Sequence, residues 1–553
     1  MKKLTLLSLL LNAALVYCQN VQWAYKVLGF SSEKSNRKNS AQQVLGKPNV
    51  LPSTGENIHA WQPTGKLKEE YIKVGFLTPV KPKQIIIAES HNPGYVSKVY
   101  VYDVQGKEHL VHSYKPKAAG LPGQIFSVST SDLKLSVAAV KVVITPAKGI
   151  LVGIDAIGIS ESSQPFDIKV SQSDFVKSNM VATKLGTSVN SPYPEFGPLL
   201  SSDGRTLYFS RRGDPKNVGG EKDEEDIWYA AWDSKAKKWK EAQNIGKPLN
   251  NKEPNFINSI TPDGNTILLG NTYLPDGTMG AGASVSYRTA SGWTTPQNLL
   301  IDQEENVNEK ANYFLSNTKK VIVLSIEQKN DTQGDRDIYV SFLGKDTIWS
   351  KPLNLGKTVN TSGTEAAPFL AADEQTLYFT SNGLGGYGGS DIYVTRRLDD
   401  SWTKWSTPEN LGPVVNTPYD ESFLSISASG NKVFFTSNGD KEGDLDMYTL
   451  TLPSMLRPLP VVLIKGRVLN TKTKDPVPNV RIFFENLNTG NEVGVAISSD
   501  ETGEYQIILP SGSSYGYLAE RRGYASVNSN MDLTKLTEYA EIEQDLFITP
   551  LEV

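Results

Sequence analysis

Short runs of alternating apolar and polar residues recur along the middle of the chain, each broken once by a tight turn. Five of them align: residues 199–210 (LLSSDGRTLYFS), 259–270 (SITPDGNTILLG), 314–325 (FLSNTKKVIVLS), 369–380 (FLAADEQTLYFT) and 425–436 (SISASGNKVFFT). A two-residue turn such as Asp-Gly between β-branched and aromatic runs predicts a β-hairpin. A third strand follows a polar loop, at Asp226-Ile227-Trp228, Asp337-Ile338-Tyr339, Asp391-Ile392-Tyr393 and Asp446-Met447-Tyr448, with Ser284-Val285-Ser286 as the departing copy. A fourth strand is expected around Trp239, Trp293, Trp349 and Trp405, ahead of Ile245, Leu299, Leu355 and Leu411. A glutamate opens each unit: Glu195, Glu253, Glu309, Glu365 and Glu421, spaced 58, 56, 56 and 56 residues apart.

Four short antiparallel strands repeated five times predict a five-bladed β-propeller, because one blade cannot bury both faces and stacked blades can. The fifth copy lacks a fourth strand before Pro453, Pro458 and Pro460. Leu185-Gly186 with Val189-Asn190 repeats Leu355-Gly356 with Val359-Asn360 and Leu411-Gly412 with Val415-Asn416, so residues 181–189 are expected to supply it and lock the ring. These repeats resemble TolB-type propeller repeats, which implies a fold and little about chemistry.

On either side the periodicity is also that of strands. Residues 71–76, 84–88, 98–104, 139–144 and 153–159 predict an all-β jelly-roll sandwich. Its phrases SAQQVLG (40–46), Trp61 and GIDAIG (153–158) resemble discoidin or galactose-binding-like domains, a resemblance that implies a ligand site on loops. Trp61, His91 and Tyr95, with Trp23 and His59, are the glycan-stacking candidates; core packing is the competing reading. After a stiff 453–460 linker, KGRV (465–468), TKDPVPNV (473–480) and DETGEYQI (500–507) predict a small β-sandwich that resembles the carboxypeptidase regulatory-like, transthyretin-type domain. The expected division is thus 1–18 signal peptide, 19–162 jelly roll, 163–180 linker, 181–455 propeller and 456–553 sandwich.

The order of propeller and sandwich resembles OmpA-family envelope proteins of the Bacteroidota, one of them an accessory of type IX secretion and gliding. In that family an OmpA-like domain follows and grips peptidoglycan; no such segment is read before Val553, so peptidoglycan binding is not carried over. Lys2-Lys3 before an apolar run from Leu4 to Val16 predicts export, with cleavage after Cys18 or, alternatively, lipidation of Cys18. Cys18 is the only cysteine, so no disulfide is expected. A net charge of −4 over 553 residues gives nucleic acid no footprint, and no later stretch is apolar enough for a spanning helix.

Enzymatic chemistry is not expected. A propeller glycosidase needs non-equivalent carboxylates converging in the channel, whereas a glutamate in every blade suits a repeated structural bond. Ser202-Asp203-Gly204 and Pro262-Asp263-Gly264 lack the spacing of sialidase Asp boxes, and no Gly-x-Ser-x-Gly or phosphate loop appears. All four histidines, His59, His91, His109 and His112, fall in the first sandwich without zinc spacing. Calcium is the one candidate cofactor, at the alternating acids Asp440, Glu442, Asp444 and Asp446, with Asp223, Glu224, Glu225 and Asp226 in the equivalent loop of the first blade. The expectation is an exported, non-enzymatic scaffold in the periplasm or at the cell surface. It would dock outer-membrane proteins or lipoproteins in a secretion, gliding or membrane-protein assembly machine. A glycan-binding protein is the alternative.

Overall fold

The computed structural model describes residues 21–36, 39–51, 55–57, 59–121, 123–166, 168, 170–172, 176, 180–344, 347–361, 363–439 and 445–551. The chain is all-β and divides into two compact units, the first essentially residues up to 168 and the second residues 169–553, with 49–54 assigned to the latter. Cys18 lies outside the described residues, as do Asp440, Glu442 and Asp444.

The first unit is a two-sheet antiparallel sandwich of nine strands: β1 (Val21–Trp23), β2 (Lys26–Phe30), β3 (Glu70–Val80), β4 (Gln84–His91), β5 (Val96–Asp103), β6 (Glu108–Ser113), β7 (Gln124–Ser129), β8 (Val137–Ile144) and β9 (Gly153–Ser160). One sheet runs β1-β9-β4-β7 and the other β2-β3-β8-β5-β6. Alternation sends Ile72, Val74, Val99, Val101, Val140 and Val142 into the core, where they meet Ile85, Ile87, Ile157 and Ile159 of the opposite sheet. Gly158 is required where β1 crosses β9: a Cβ there would lie 2.8 Å from the ring of Trp23 and 2.6 Å from Val21. The strands not foreseen, β1, β2, β6 and β7, are short or half-exposed, so their apolar alternation is faint.

In the second unit five sheets, three of four strands and two of five, stand round an axis as a β-propeller. The inner strands are Glu195–Leu200, Ile257–Ile260, Asn312–Leu315, Glu365–Leu370 and Glu421–Ile426. Each contacts the next, and the last contacts the first, so the ring is closed. The outer strand of the fifth blade is Thr183–Lys184, antiparallel to Tyr448–Thr449. Five apolar clusters fill the five gaps between blades. Between the fifth and first, Phe434 and Met447 meet Val189, Leu207, Phe209 and Trp228. The fourth strands of blades three and four are Leu353–Asn354 and Glu409–Asn410, beyond the tryptophans expected to mark them. Trp349 instead makes isolated bridges to Ile301 and Leu343, and Trp405 one to Arg397, and both are buried as wedges between blades.

The C-terminal sandwich of the second unit pairs Glu504–Pro510, Val461–Asn470, Leu546–Pro550 and Tyr524–Ala525 in one sheet. Asn491–Ile497, Arg481–Asn486, Ser514–Glu520 and Val527–Asp532 form the other, and the two close over Ile464, Val468, Phe484, Leu509 and Tyr515. The segment leading into it is docked on the propeller rather than free. Leu456 is fully buried in the cluster between blades four and five. Tyr378 Oη donates to the Leu456 carbonyl at 2.7 Å, and Leu459 N–H donates to Asp373 at 2.8 Å. Beyond it, Asn265 donates to the Ile497 carbonyl at 3.1 Å, Ala290 N–H to Asp500 at 3.1 Å, and Lys320 pairs with Glu492 at 2.9 Å.

Candidate functional site

The recurring acids come first, because a catalytic reading of a propeller depends on where they point. Glu195, Glu365 and Glu421 are fully buried. Each accepts the backbone N–H of the residue four positions earlier: Ser191 at 3.0 Å, Thr361 at 2.8 Å and Thr417 at 2.7 Å. Each then takes a donor from the second strand of its own blade: Arg211 at 2.8 Å, Ser381 at 2.7 Å and Ser437 at 2.8 Å. Burial pushes Glu195 and Glu365 up to about 7 and Glu421 up to about 8. Glu253 and Glu309 do not belong to this set; both are exposed. In blade two the position is held by the buried Asn255, whose Oδ1 accepts Asn251 N–H at 2.7 Å. An amide does the same acceptor work without an ionised group, so the repeat survives a change of residue that the glutamate spacing hides.

A second network, built on asparagines, fastens the third strand of blades one, three, four and five to the segment that runs beside it. The Asp that opens the third strand accepts from an Asn of the fourth: Asp226 from Asn244 at 2.6 Å, Asp337 from Asn354 at 3.0 Å, Asp391 from Asn410 at 2.7 Å. Burial raises these aspartates, Asp226 and Asp391 to about 6. Another Asn in the following loop straddles the third strand. Asn250, Asn360 and Asn416 each accept the N–H and donate to the C=O of Ile227, Ile338 and Ile392, at 2.8–3.0 Å. In the fifth blade both partners come from the front of the chain. Lys184 pairs with Asp446, and Asn190 accepts Met447 N–H at 2.9 Å and donates to its carbonyl at 3.0 Å. The signal for these residues was present as the recurring Val-Asn pairs. Their role as side-chain mimics of a strand edge shows only in the structure.

These bonds account for the described part of the calcium candidates. Asp446 belongs to the ring latch with Lys184. In the equivalent loop of blade one, Asp223 accepts Gly219 N–H at 2.8 Å and Asp226 accepts Val218 N–H at 2.7 Å, as in local turns. Burial raises Glu225 to about 7. Among the described residues no group of three or more His, Cys, Asp or Glu side chains is arranged around a common point for a metal.

The glycan-stacking candidates in the first unit do not form one platform. Trp61 is fully buried in the core, its Nε1 donating to the Ser32 carbonyl at 3.0 Å, and cannot meet a ligand. Its burial follows from its bridge to Ile154 of β9, which draws the loop over the sheet edge. Tyr95 packs against the same core, and Trp23 lies edge-on to Phe166. His91 is half-buried beside Asn92, with desolvation holding its imidazole below the usual value. His109 contacts Asp103 at 2.8 Å and His112 stacks on Tyr114.

Two kinds of space remain in the second unit. The propeller axis holds small cavities of about 50 and 40 Å³ lined by apolar and uncharged side chains, among them Leu199, Phe314 and Phe369, with Leu459, Val461 and Ile508 covering one end. A larger cleft, about 1590 Å³, lies between blades one to three and the C-terminal sandwich. Its charges are of both signs, and several pair within it: Lys319 with Asp263 at 2.9 Å, Lys465 with Glu541 at 2.7 Å, Arg467 with Glu504 at 3.3 Å. No helix among the described residues is long and apolar enough to cross a membrane.

Residues 18–167 match a family model described as Pappalysin-1, SD scarf domain, C-terminal. No curated relative matches the chain. Among solved structures, the family 32 carbohydrate-binding module from Streptococcus pneumoniae EndoD is similar at 8% identity, over 25% of this chain and 95% of that one, with a TM-score of 0.20. The N-terminal domain of the single-strand break repair protein XRCC1 is similar at 12% identity, over 25% and 98%, also at 0.20. The 3-chlorocatechol 1,2-dioxygenase of Rhodococcus opacus 1CP is similar at 9% identity, over 17% of this chain and 62% of the dioxygenase, at 0.14. Likenesses this partial carry neither a ligand nor a reaction to this chain.

Proposed function

We propose that the chain is a non-enzymatic scaffold of an outer-membrane-associated machine. In this reading it is exported, akin to the OmpA-family envelope proteins with TolB-type repeats, and works by docking protein partners. The observation that carries the reading is the junction between propeller and C-terminal sandwich. Leu456 is buried between blades four and five, the backbone N–H of Leu459 is held by Asp373, and three contacts beyond the segment, at Ile497, Asp500 and Glu492, fix the sandwich against blades two and three. A scaffold has to hold two surfaces at a set spacing, and an anchored junction does so where a free linker would not. The disposition of the buried acids supports the non-enzymatic part: Glu195, Glu365 and Glu421 are spent on bonds that hold loops, away from the apolar axis.

Affinity purification of the tagged full chain from detergent-solubilised envelopes, read by mass spectrometry, tests this. Stoichiometric recovery of outer-membrane proteins or lipoproteins is expected. Recovery of the chain alone, as a monomer, would overturn the scaffold reading.

A further inference from the structure

The register of the five-stranded sheet in the first unit sets three cross-strand rows on its outer face. The central row is Gly29, Lys73, Lys141, Tyr100 and Leu110; beside it run Tyr71, Val143 and Lys98, and Lys26, Gly75, Ala139, Tyr102 and Glu108. Lys73 and Lys141 therefore stand directly opposite each other at the centre of the sheet, an arrangement of like charges that destabilises a strand pair. Their ammonium groups lie over tyrosine rings, Lys73 at 3.3 Å from the Tyr102 centroid and Lys141 at 4.3 Å from that of Tyr100. Glu108 bonds Lys141 at 2.5 Å and also takes the Tyr102 hydroxyl, so one carboxylate serves the pair. Burial, and then the field of Lys141, hold Lys73 below its ordinary value. Lys98 is paired with Glu69 at 3.1 Å, while Lys26 rests over the Tyr25 ring. Four lysines thus share the face with two carboxylates. Tyr71 is 37% exposed, Tyr100 and Tyr102 are half-buried, and Leu110 is exposed. Gly29, Gly75 and Ala139 keep the surface between them low.

We propose that this tyrosine–lysine face binds an acidic polysaccharide. A carboxylate set between Lys73 and Lys141 would relieve their repulsion through charge-assisted hydrogen bonds, which supplies a reason for keeping two cations opposed. Tyrosine rings offer an apolar platform for the face of a sugar ring and a hydroxyl at the wet end. The face is open rather than a pocket, which suits a polymer. Glu69 and Glu108 can accept bonds from the free ring hydroxyls of a sugar, which a DNA strand does not offer along its backbone. A carboxylate to meet the lysines together with hydroxyls to meet these two acceptors favours a uronate-bearing glycan over a nucleic acid. The site is distinct from the buried Trp61 and from the protein-docking role proposed above.

The test is affinity electrophoresis of the full chain through gels containing polygalacturonate, with dextran as the neutral control and a single-stranded oligonucleotide as a competing polyanion. Retardation by polygalacturonate and not by dextran is expected, falling as salt rises. Lys73→Gln with Lys141→Gln should weaken it at least tenfold, and Tyr71→Ala should weaken it too. Because the double variant removes a repulsive pair, its melting temperature should stay level or rise, separating lost binding from lost folding. Wild-type protein that is not retarded, a double variant retarded like wild type, or an oligonucleotide bound as tightly as the glycan would each overturn the proposal.

Discussion

Asn190→Ala probes the closure of the propeller directly. The Asn190 amide satisfies both the N–H and the C=O of Met447, a residue with no exposed surface, across a sequence separation of 257 residues. Truncation to alanine leaves the Met447 N–H buried without a partner, at a cost of about 1–3 kcal/mol, while the Met447 carbonyl keeps the Leu185 N–H at 2.9 Å. The third bond, to the Leu185 carbonyl, is only part-buried, and water can replace it. The expected loss is about 2 kcal/mol, which for a domain of this size lowers the melting temperature by roughly 6 °C. Scanning calorimetry of the full chain reads it, with the N-terminal sandwich transition as an internal control. Asn416→Ala is the matched comparison, since Asn416 makes the same two bonds to Ile392 within continuous chain. If Asn416→Ala is costly and Asn190→Ala shifts the propeller transition by less than about 2 °C, the ring is not closed by the front of the chain and the reasoning fails.

Other outcomes follow from the same structure. The folded-state values of Glu195, Glu365 and Glu421, about 7, 7 and 8, lie above the ordinary 4.5. Their contribution is fully present below 4.5 and is lost as pH rises through 7 to 8. Urea midpoints of the propeller should fall between pH 5 and 8.5, and Glu421→Gln should flatten that slope; a midpoint rising with pH would contradict it. Leu456→Ala should cost about 3 kcal/mol and open residues 457–460 to limited proteolysis; unchanged cleavage would mean the segment is not anchored there. Trp61→Ala should destabilise the N-terminal sandwich by about 3–5 kcal/mol, seen as loss of its calorimetric transition. A well-folded variant would place Trp61 at the surface after all.

The propeller was legible in the sequence because its signal is repeated: a two-residue period, a turn and an aromatic strand, five times over. Single-copy information was harder. The glutamate at 253 kept the spacing, but spacing does not tell a buried acceptor from an exposed loop residue two positions away, and Asn255 holds the bond. Trp61 shows the same limit from the other side, since a tryptophan in a loop looks like a ligand platform until the bridge to Ile154 pulls it inward. Strands β6 and β7 escaped notice because one face of each is solvated and their apolar residues are few. Lys73 facing Lys141 depends on register between β3 and β8, which lie some 60 residues apart in the chain and carry no mark of it in composition.

The borrowed strand Thr183–Lys184 imposes a timetable on the growing molecule. It is made before the first complete blade, yet its partner, Tyr448–Thr449, arrives after the fourth. Until then the blades form an open stack, with Val189, Leu207 and Phe209 bare at one end and the place of Phe434 and Met447 empty at the other. Such long-range closure is slow, and the exposed ends can pair with a second chain as well as with each other. The molecule is therefore most vulnerable to misassembly late in synthesis, and a holding factor that shields the first blade would do most of its work in that interval.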